Sequence, residues 1–345
     1  MLRNRLGSRR SHTLGASVVA AAVALGLSAC GGSGDAGGDS SPTTVNIVGF
    51  SVIKSAYDDL GKQFAGTPDG KGVRFSSSYG ASGAQSRAVI AGQKADLVAF
   101  SLAPDLTNVV DAGLVDKTWD SGATKGVASS SVVVIAVRKG NPMHITGWAD
   151  LIKPGVGIVT ADPGTSGAAK WNLLAAYAQA AGAAQDEAAG KTYLQGFIKN
   201  VVSWNESGRL ATDAFSKGTG DVLISYENEA IAARAAGLEL DYMVPDSTLL
   251  IQNPAAVTSK APQAARDFLS YIESAPGQTI LAEHGFRPVV DGVKASSTPG
   301  ANDPANPFPA VKNLTTIDDL GGWSDVNKKY FDKDTGLVTQ LRTPA

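Results

Sequence analysis

Cysteine, histidine and methionine are scarce in this 345-residue chain, with one, three and three copies. A single cysteine, Cys30, excludes any disulfide within the chain. With no cysteine pair, and with His144 and His284 not at helical spacing, a zinc-type site has no ligand set and no metal is expected. An excess of one charge is also missing, since 30 basic residues face 32 acidic ones. Nucleic acid and anionic membrane surfaces are therefore not implied as partners. Long apolar runs are absent too: the most apolar stretch, Leu14 to Leu27, is shorter than the ~20 residues of a spanning helix.

That stretch belongs to a targeting segment rather than to the fold. Arg3, Arg5, Arg9 and Arg10 form a basic head, the apolar core follows, and Ser28 and Ala29 are small. The ending "LSAC" resembles the lipobox of bacterial lipoproteins, which implies cleavage after residue 29 and a lipid thioether on Cys30. Arg9-Arg10 also fits part of a twin-arginine signal, so the export route stays open between the two systems. Residues 30–44, "CGGSGDAGGDSSPTT", cannot bury a core and predict a flexible tether. Loss of residues 1–29 removes four arginines and no acid, which takes the formal charge from −2 to −6.

From Val45 onward about three hundred residues at 43% hydrophobic composition suffice for two domains, and no repeat at solenoid spacing is present. Short apolar runs alternate with helical patterns, which predicts α/β layers with largely parallel strands. The strand candidates are residues 45–50, 73–80, 96–101, 131–140, 156–161 and 221–227. Trp171, Leu174, Ala175, Ala178 and Ala181 share one helical face, as do Phe268, Leu269 and Ile272. Both stripes read as core packing.

Four joins between strand and helix carry a serine and, in three of them, a glycine. They are Ser51 in "GFSVIKSAY", Ser82 and Gly83 in "YGASGAQS", Ser166 and Gly167 in "DPGTSGAAKW", and Ser207 and Gly208 in "NESGRLATDAF". Each alone is explained by helix capping. Four in one chain point to something more, because helix starts present unpaired N–H donors and partial positive charge at the carboxyl ends of strands. Converging on one cleft, they would hold an oxyanion with no cationic side chain. No acid occupies a contact position in these turns. Glu206 and Asp213 flank the fourth as helix-end charges, and Asp162 is a turn-former before the third.

"YGASGAQSRAVIAGQKADLVAFSL", "VRKGNPMHITGWADLIKPGVGIVTADPGTSGAAKWNLLAAYA", "GTGDVLISYENEA" and "TTIDDLGGWSDVNKKYF" are similar to segments of the sulfate-binding proteins of bacterial sulfate/thiosulfate ABC importers, a likeness that runs from about Val45 to Phe331. The resemblance implies an α/β periplasmic-binding-protein fold of type II topology, with two lobes joined by two crossovers and a ligand cleft between them. Lobe 1 is then residues 45–130 plus 247–331, lobe 2 is residues 131–246, and residues 332–345 form a polar tail expected to fray. It further implies sulfate held by donors from Ser51, Ser82, Ser166, Gly167, Ala168, Gly208 and Tyr226, braced by Arg209. Two positions depart from the family pattern: Ser51 replaces an aspartate that offers its main-chain N–H, and Tyr226 in "YENEA" replaces a tryptophan. A phenol still donates, with a different reach from an indole. The partners implied are an ABC permease with its ATPase, for a monomeric, lipid-anchored protein outside the cytoplasm that needs no cofactor.

Other functions fit less well. Thiosulfate, molybdate, tungstate, chromate or phosphate could fill a tetrahedral site, although phosphate keeps a proton and rewards an acceptor carboxylate. A secreted serine hydrolase is suggested by "GASGA" and "GTSGA", yet Ala84 and Ala168 replace the last glycine of the nucleophile elbow. "DTG" at 334–336 has no second copy, and the carboxylates of "ENE" at 227–229 read as structural partners of arginine.

Overall fold

The run Val132-Val-Val-Ile-Ala-Val137 is apolar on both sides of the pleat, as a strand buried on both faces must be. It forms most of β4, Val127–Arg138, in which every residue but the first and last is buried. The computed structural model describes residues 42–342, so the targeting segment, Cys30 and nearly all of the tether lie outside the described residues.

In chain order the elements before β4 are β1 (Thr43–Phe50), α1 (Lys54–Ala65), β2 (Val73–Gly80), α2 (Ser82–Ile90), β3 (Leu97–Ala99) and α3 (Ala103–Asp111). After it come β5 (Ile158–Ala161), α4 (Gly167–Ala181), α5 (Glu187–Lys199), β6 (Val201–Asn205), α6 (Gly208–Ser216), β7 (Val222–Tyr226), α7 (Glu227–Ala235) and β8 (Leu240–Met243). β9 (Ser247–Val257), α8 (Gln263–Glu273), α9 (Ala275–Glu283), β10 (Asn313–Thr315), α10 (Gly322–Val326) and α11 (Leu337–Arg342) complete the described chain.

The strands run in the order β2-β1-β3-β9-β4-β7-β5-β6, with β10 on β9 and β8 on β4. β1 is parallel to β2 and β3, and β5 is parallel to β6 and β7. β9 and β4 run antiparallel to each other, β9 antiparallel to β3, and β4 antiparallel to β7 and β8. The expectation of a largely parallel sheet therefore holds on each side and fails in the middle. There two long strands change partners: β4 pairs first with β9 through Val132↔Leu250 and then with β7 from Val133↔Tyr226.

β9 escapes a sequence reading because Pro254 and the polar Gln252 and Asn253 break its apolar run. Proline cannot donate to a ladder and sits at an irregularity, and the register slips where Val127↔Pro254 gives way to Ser129↔Asn253. β1 begins two residues earlier than Val45, with Thr43 pairing to Val73.

The stripe on α8 buries Phe268, which packs 4.5 Å from Phe75 and 5.3 Å from Phe64, ring centre to ring centre. α4 exceeds its predicted stripe, since twelve of its fifteen residues are buried. The third side of α4 is covered by the C-terminal segment: Trp323 stacks edgewise on Trp171 at 4.9 Å and Tyr330 on Tyr177 at 4.8 Å. This segment packs on α4 and α5 rather than with the rest of residues 247–331. Nor do residues 332–342 fray, because α11 buries Val338 and Arg342 pairs with Asp162. The docking rests on Val338, on Leu337 and Leu341 packed beside it, and on Arg342, which also lies over the Trp204 ring. Val338→Ala removes two buried methyl groups and is expected to cost about 1–2 kcal/mol. Urea unfolding should show a lower midpoint at unchanged slope, whereas a frayed tail would leave it unmoved.

Candidate functional site

Six helical turns open directly after a strand: residues 51–53 after β1, α2 after β2, α3 after β3, α4 after β5, α6 after β6 and α7 after β7. Capping explains only part of their serine content. Ser207 does cap, accepting from the Leu210 N–H at 3.3 Å. Ser166 stands at the N-cap of α4 and its hydroxyl makes no cap bond. Ser82 is already inside α2, behind Ala81. The main-chain N–H groups of Ser82, Gly167, Ala168 and Gly208 find no protein acceptor among the described residues, as the first turn of a helix dictates.

These helix starts meet one another. Gly83 N–H donates to Thr165 O at 3.2 Å, which joins the second turn to the third. A Cβ on Gly208 would lie 3.4 Å from both Ala168 Cβ and Val52 Cγ2, which puts the fourth turn against the third and the first. The Phe50 ring, just before Ser51, lies 6.4 Å from that of Tyr226. At the centre is a residue absent from the sequence reading, Ser101 at the carboxyl end of β3. Its Oγ is 2.6 Å from Tyr226 Oη, its N–H donates to Ser82 Oγ at 2.9 Å, and its carbonyl accepts from Trp171 Nε1 at 2.9 Å and Asn253 Nδ2 at 2.8 Å. A Cβ on Gly167 would be 2.5 Å from Ser101 Oγ, so only glycine permits this approach. The signal for Ser101 was present: "DLVAFSLAPDL" repeats the strand, serine and helix pattern of the four turns, with Pro104 in the first helical turn.

Charge sits behind the turns. Ser82 Oγ donates to Asp105 Oδ2 at 2.6 Å, which commits that hydroxyl proton. Burial raises the Asp105 carboxyl above its usual range, opposed by the Ser82 bond and by Lys170 and Arg87. The two glutamates of "ENE" are fully buried and each meets an arginine. Arg287 grips Glu227 with Nε at 2.6 Å and Nη2 at 3.1 Å, and Arg209 Nε lies 3.2 Å from Glu229 Oε1. Arg209 thus ties the start of α6 to α7. Asp162, opening the third turn, caps Gly164 N–H and holds Arg342. His284 Nε2 is 2.9 Å from Asp59 Oδ2 and bonds no serine among the described residues.

The structure accordingly gathers Ser51, Ser82, Ser166, Gly167, Ala168, Gly208 and Tyr226 at neighbouring strand ends, with Arg209 beside them. Ser82, Ser166 and Tyr226 are each at most 4% exposed, while Ser51 is half-buried. The arrangement offers main-chain N–H and hydroxyl groups among buried side chains, with the Asp105 carboxylate bound to Ser82 and Glu229 facing Arg209. It suits a small anion that carries no proton.

An α/β fold whose helix starts meet across two crossover strands is an architecture shared with solved periplasmic binding proteins. Residues 45–287 match the family of bacterial extracellular solute-binding proteins, and the chain belongs to that family. It is 37% identical over 341 residues to a sulfate-binding protein of Synechococcus elongatus, with 94% of each chain covered. It is 31% identical to a thiosulfate-binding protein of Pseudomonas aeruginosa, over 86% of this chain and 91% of that one. The solved structure of the sulfate-binding protein SubI from Mycobacterium tuberculosis H37Rv is similar at 42% identity and a TM-score of 0.79, covering 84% of this chain and 100% of that one.

The ion pair of Arg209 and Glu229 can be tested without ligand. Arg209→Met strands a buried carboxylate and is expected to cost about 3 kcal/mol at pH 7. Burial already raises the Glu229 carboxyl and Arg209 opposes that rise, so the variant's folded state holds the proton more tightly still. A raised folded value means stability falls as pH rises through the window above the unfolded value. Urea unfolding at pH 5 and pH 8 should therefore show a smaller deficit at pH 5; equal deficits would remove Glu229 from the account.

Proposed function

We propose that this protein is the sulfate receptor of a bacterial ABC importer, with thiosulfate as the second substrate to consider. The observation that carries this reading is the start of α4. The Ser166 hydroxyl, buried and free of a cap bond, stands next to the unpaired N–H groups of Gly167 and Ala168. Sulfate at neutral pH is a pure acceptor and needs such a set of donors. Phosphate would reward a carboxylate at a contact position, whereas Asp105 is engaged by Ser82 and Asp162 by Gly164 N–H and Arg342. The names of the relatives support the same substrate pair. Binding rather than catalysis is the reading that the relatives support, since they are named as binding proteins, and His284 is bonded to Asp59 rather than to a serine turn.

Residues 45–130 with about 247–315 form one lobe of this proposal. Residues 131–246 form the other, which the C-terminal segment joins. Ser82 and Ser51 come from the first, and Ser166, Gly167, Ala168, Gly208 and Tyr226 from the second. The anion meets both sets only in the closed state, so ligand shifts the population towards closure. Micromolar affinity corresponds to about −8 kcal/mol, net of dehydrating a dianion and closing the hinge. A lipid on Cys30 and the tether to residue 44 would keep the receptor at the outer membrane face, near its permease and ATPase. Metabolic lipid labelling that persists in Cys30→Ser would remove the anchor.

Thermal unfolding at pH 8 tests the substrate. Sulfate at a thousandfold over its dissociation constant should stabilise by about 4 kcal/mol, with little effect from phosphate. Ser166→Ala should weaken sulfate binding by roughly 1–3 kcal/mol. No stabilisation by sulfate, thiosulfate, molybdate or phosphate would overturn the receptor reading.

A further inference from the structure

We propose that Ser101 is a positioning residue of the anion site, which acts by fixing the hydroxyl of Tyr226 as a donor to the bound anion. The inference rests on the sulfate reading and adds a residue to it. Tyr226 closes β7 on one side of the crossover and Ser101 closes β3 on the other, yet their oxygens are 2.6 Å apart and both residues are 1% exposed. A hydroxyl oxygen has one proton to give and two lone pairs to receive. In a pair this short one oxygen donates to the other, and the surroundings decide which. The Asn253 amide holds the Ser101 carbonyl through Nδ2, and the Ser101 hydroxyl is left to the phenol oxygen. In the proposed arrangement Ser101 Oγ donates to Tyr226 Oη, and the phenol keeps its own proton for a third partner.

The direction left to it is set by Gly167. Ser101 Oγ is the atom that a Cβ at Gly167 would meet at 2.5 Å, so the hydroxyl pair lies directly against the start of α4 and its unpaired N–H groups. Burial keeps the phenol protonated at any physiological pH, as the donor role demands. Ser101 itself cannot drift, because its N–H is spent on Ser82 Oγ and its carbonyl on Trp171 and Asn253. A phenol reaches differently from an indole, and the Ser101 hydroxyl supplies the orientation that an indole N–H has by its rigid ring.

Calorimetric sulfate titrations of wild type, Ser101→Ala, Tyr226→Phe and the double variant test this, with unfolding of each measured in sulfate-free buffer. Each single substitution is expected to weaken sulfate about tenfold, the scale of one hydrogen bond to a charged group. The double variant should bind within twofold of Tyr226→Phe, because Ser101 acts through that phenol. Independent effects that multiply would overturn the proposal, as would a Ser101→Ala protein that is less stable without sulfate yet binds it like wild type. Failure of the wild type to bind sulfate would instead overturn the receptor reading, and this inference with it.

Discussion

Unpaired main-chain N–H groups at helix starts are the constraint on which this structure turns. Each such donor, when buried, costs free energy until something accepts from it, so a fold that collects several in one enclosure favours an anion there. Ser82, Gly167, Ala168 and Gly208 belong to three helices that follow three different strands. Only the parallel strand and helix order within each side of the sheet brings such starts to a common edge. The packing that lets them meet is correspondingly tight. Gly167 lies against Ser101 and Gly208 against Ala168 and Val52, where larger side chains would push the donors apart.

Charge is used to hold this edge rather than to fill it. Glu227 and Glu229 are buried at the start of α7, a position where the helix dipole favours carboxylates, and each is answered by an arginine from another element. Arg287 reaches Glu227 from beyond α9, and Arg209 reaches Glu229 from the first turn of α6. Asp105 does the same work for α2 through Ser82. The result separates two tasks. Ion pairs fix where the helices begin, and neutral donors face the space between them.

Much of this was legible because it depends on local chemistry. The strands at residues 45–50, 73–80 and 221–227 announced themselves by apolar runs, and the serine and glycine turns by their place after those runs. The pairing of "ENE" with arginine followed from the impossibility of burying carboxylates alone. What stayed hidden depends on tertiary context. β9 carries a proline that sits at a register slip, and α11 owes its docking to three apolar side chains and Arg342 in a helix of only six residues. Ser101 shows a subtler limit. Its motif matches the other turns, but nothing along the chain reveals that Tyr226, 125 positions away, ends beside it.

The exchange of partners by β4 and β9 explains why a pair such as Ser101 and Tyr226 can matter. Two strands carry the sheet from one side to the other: β9 passes from β4 to β3 at Pro254, beside the register slip at Val127 and Ser129, and β4 passes from β9 to β7 between Val132 and Val133. Proline has no N–H to give the ladder at that change of partner. If the two sides move against each other to admit an anion, the line between them absorbs the change. Contacts that span it then exist only in the closed form and draw their worth from closure. The bonds from Tyr226 and Trp171 to Ser101, and from Gly83 to Thr165, are of this kind. They join the helix starts on one side of the sheet to those on the other.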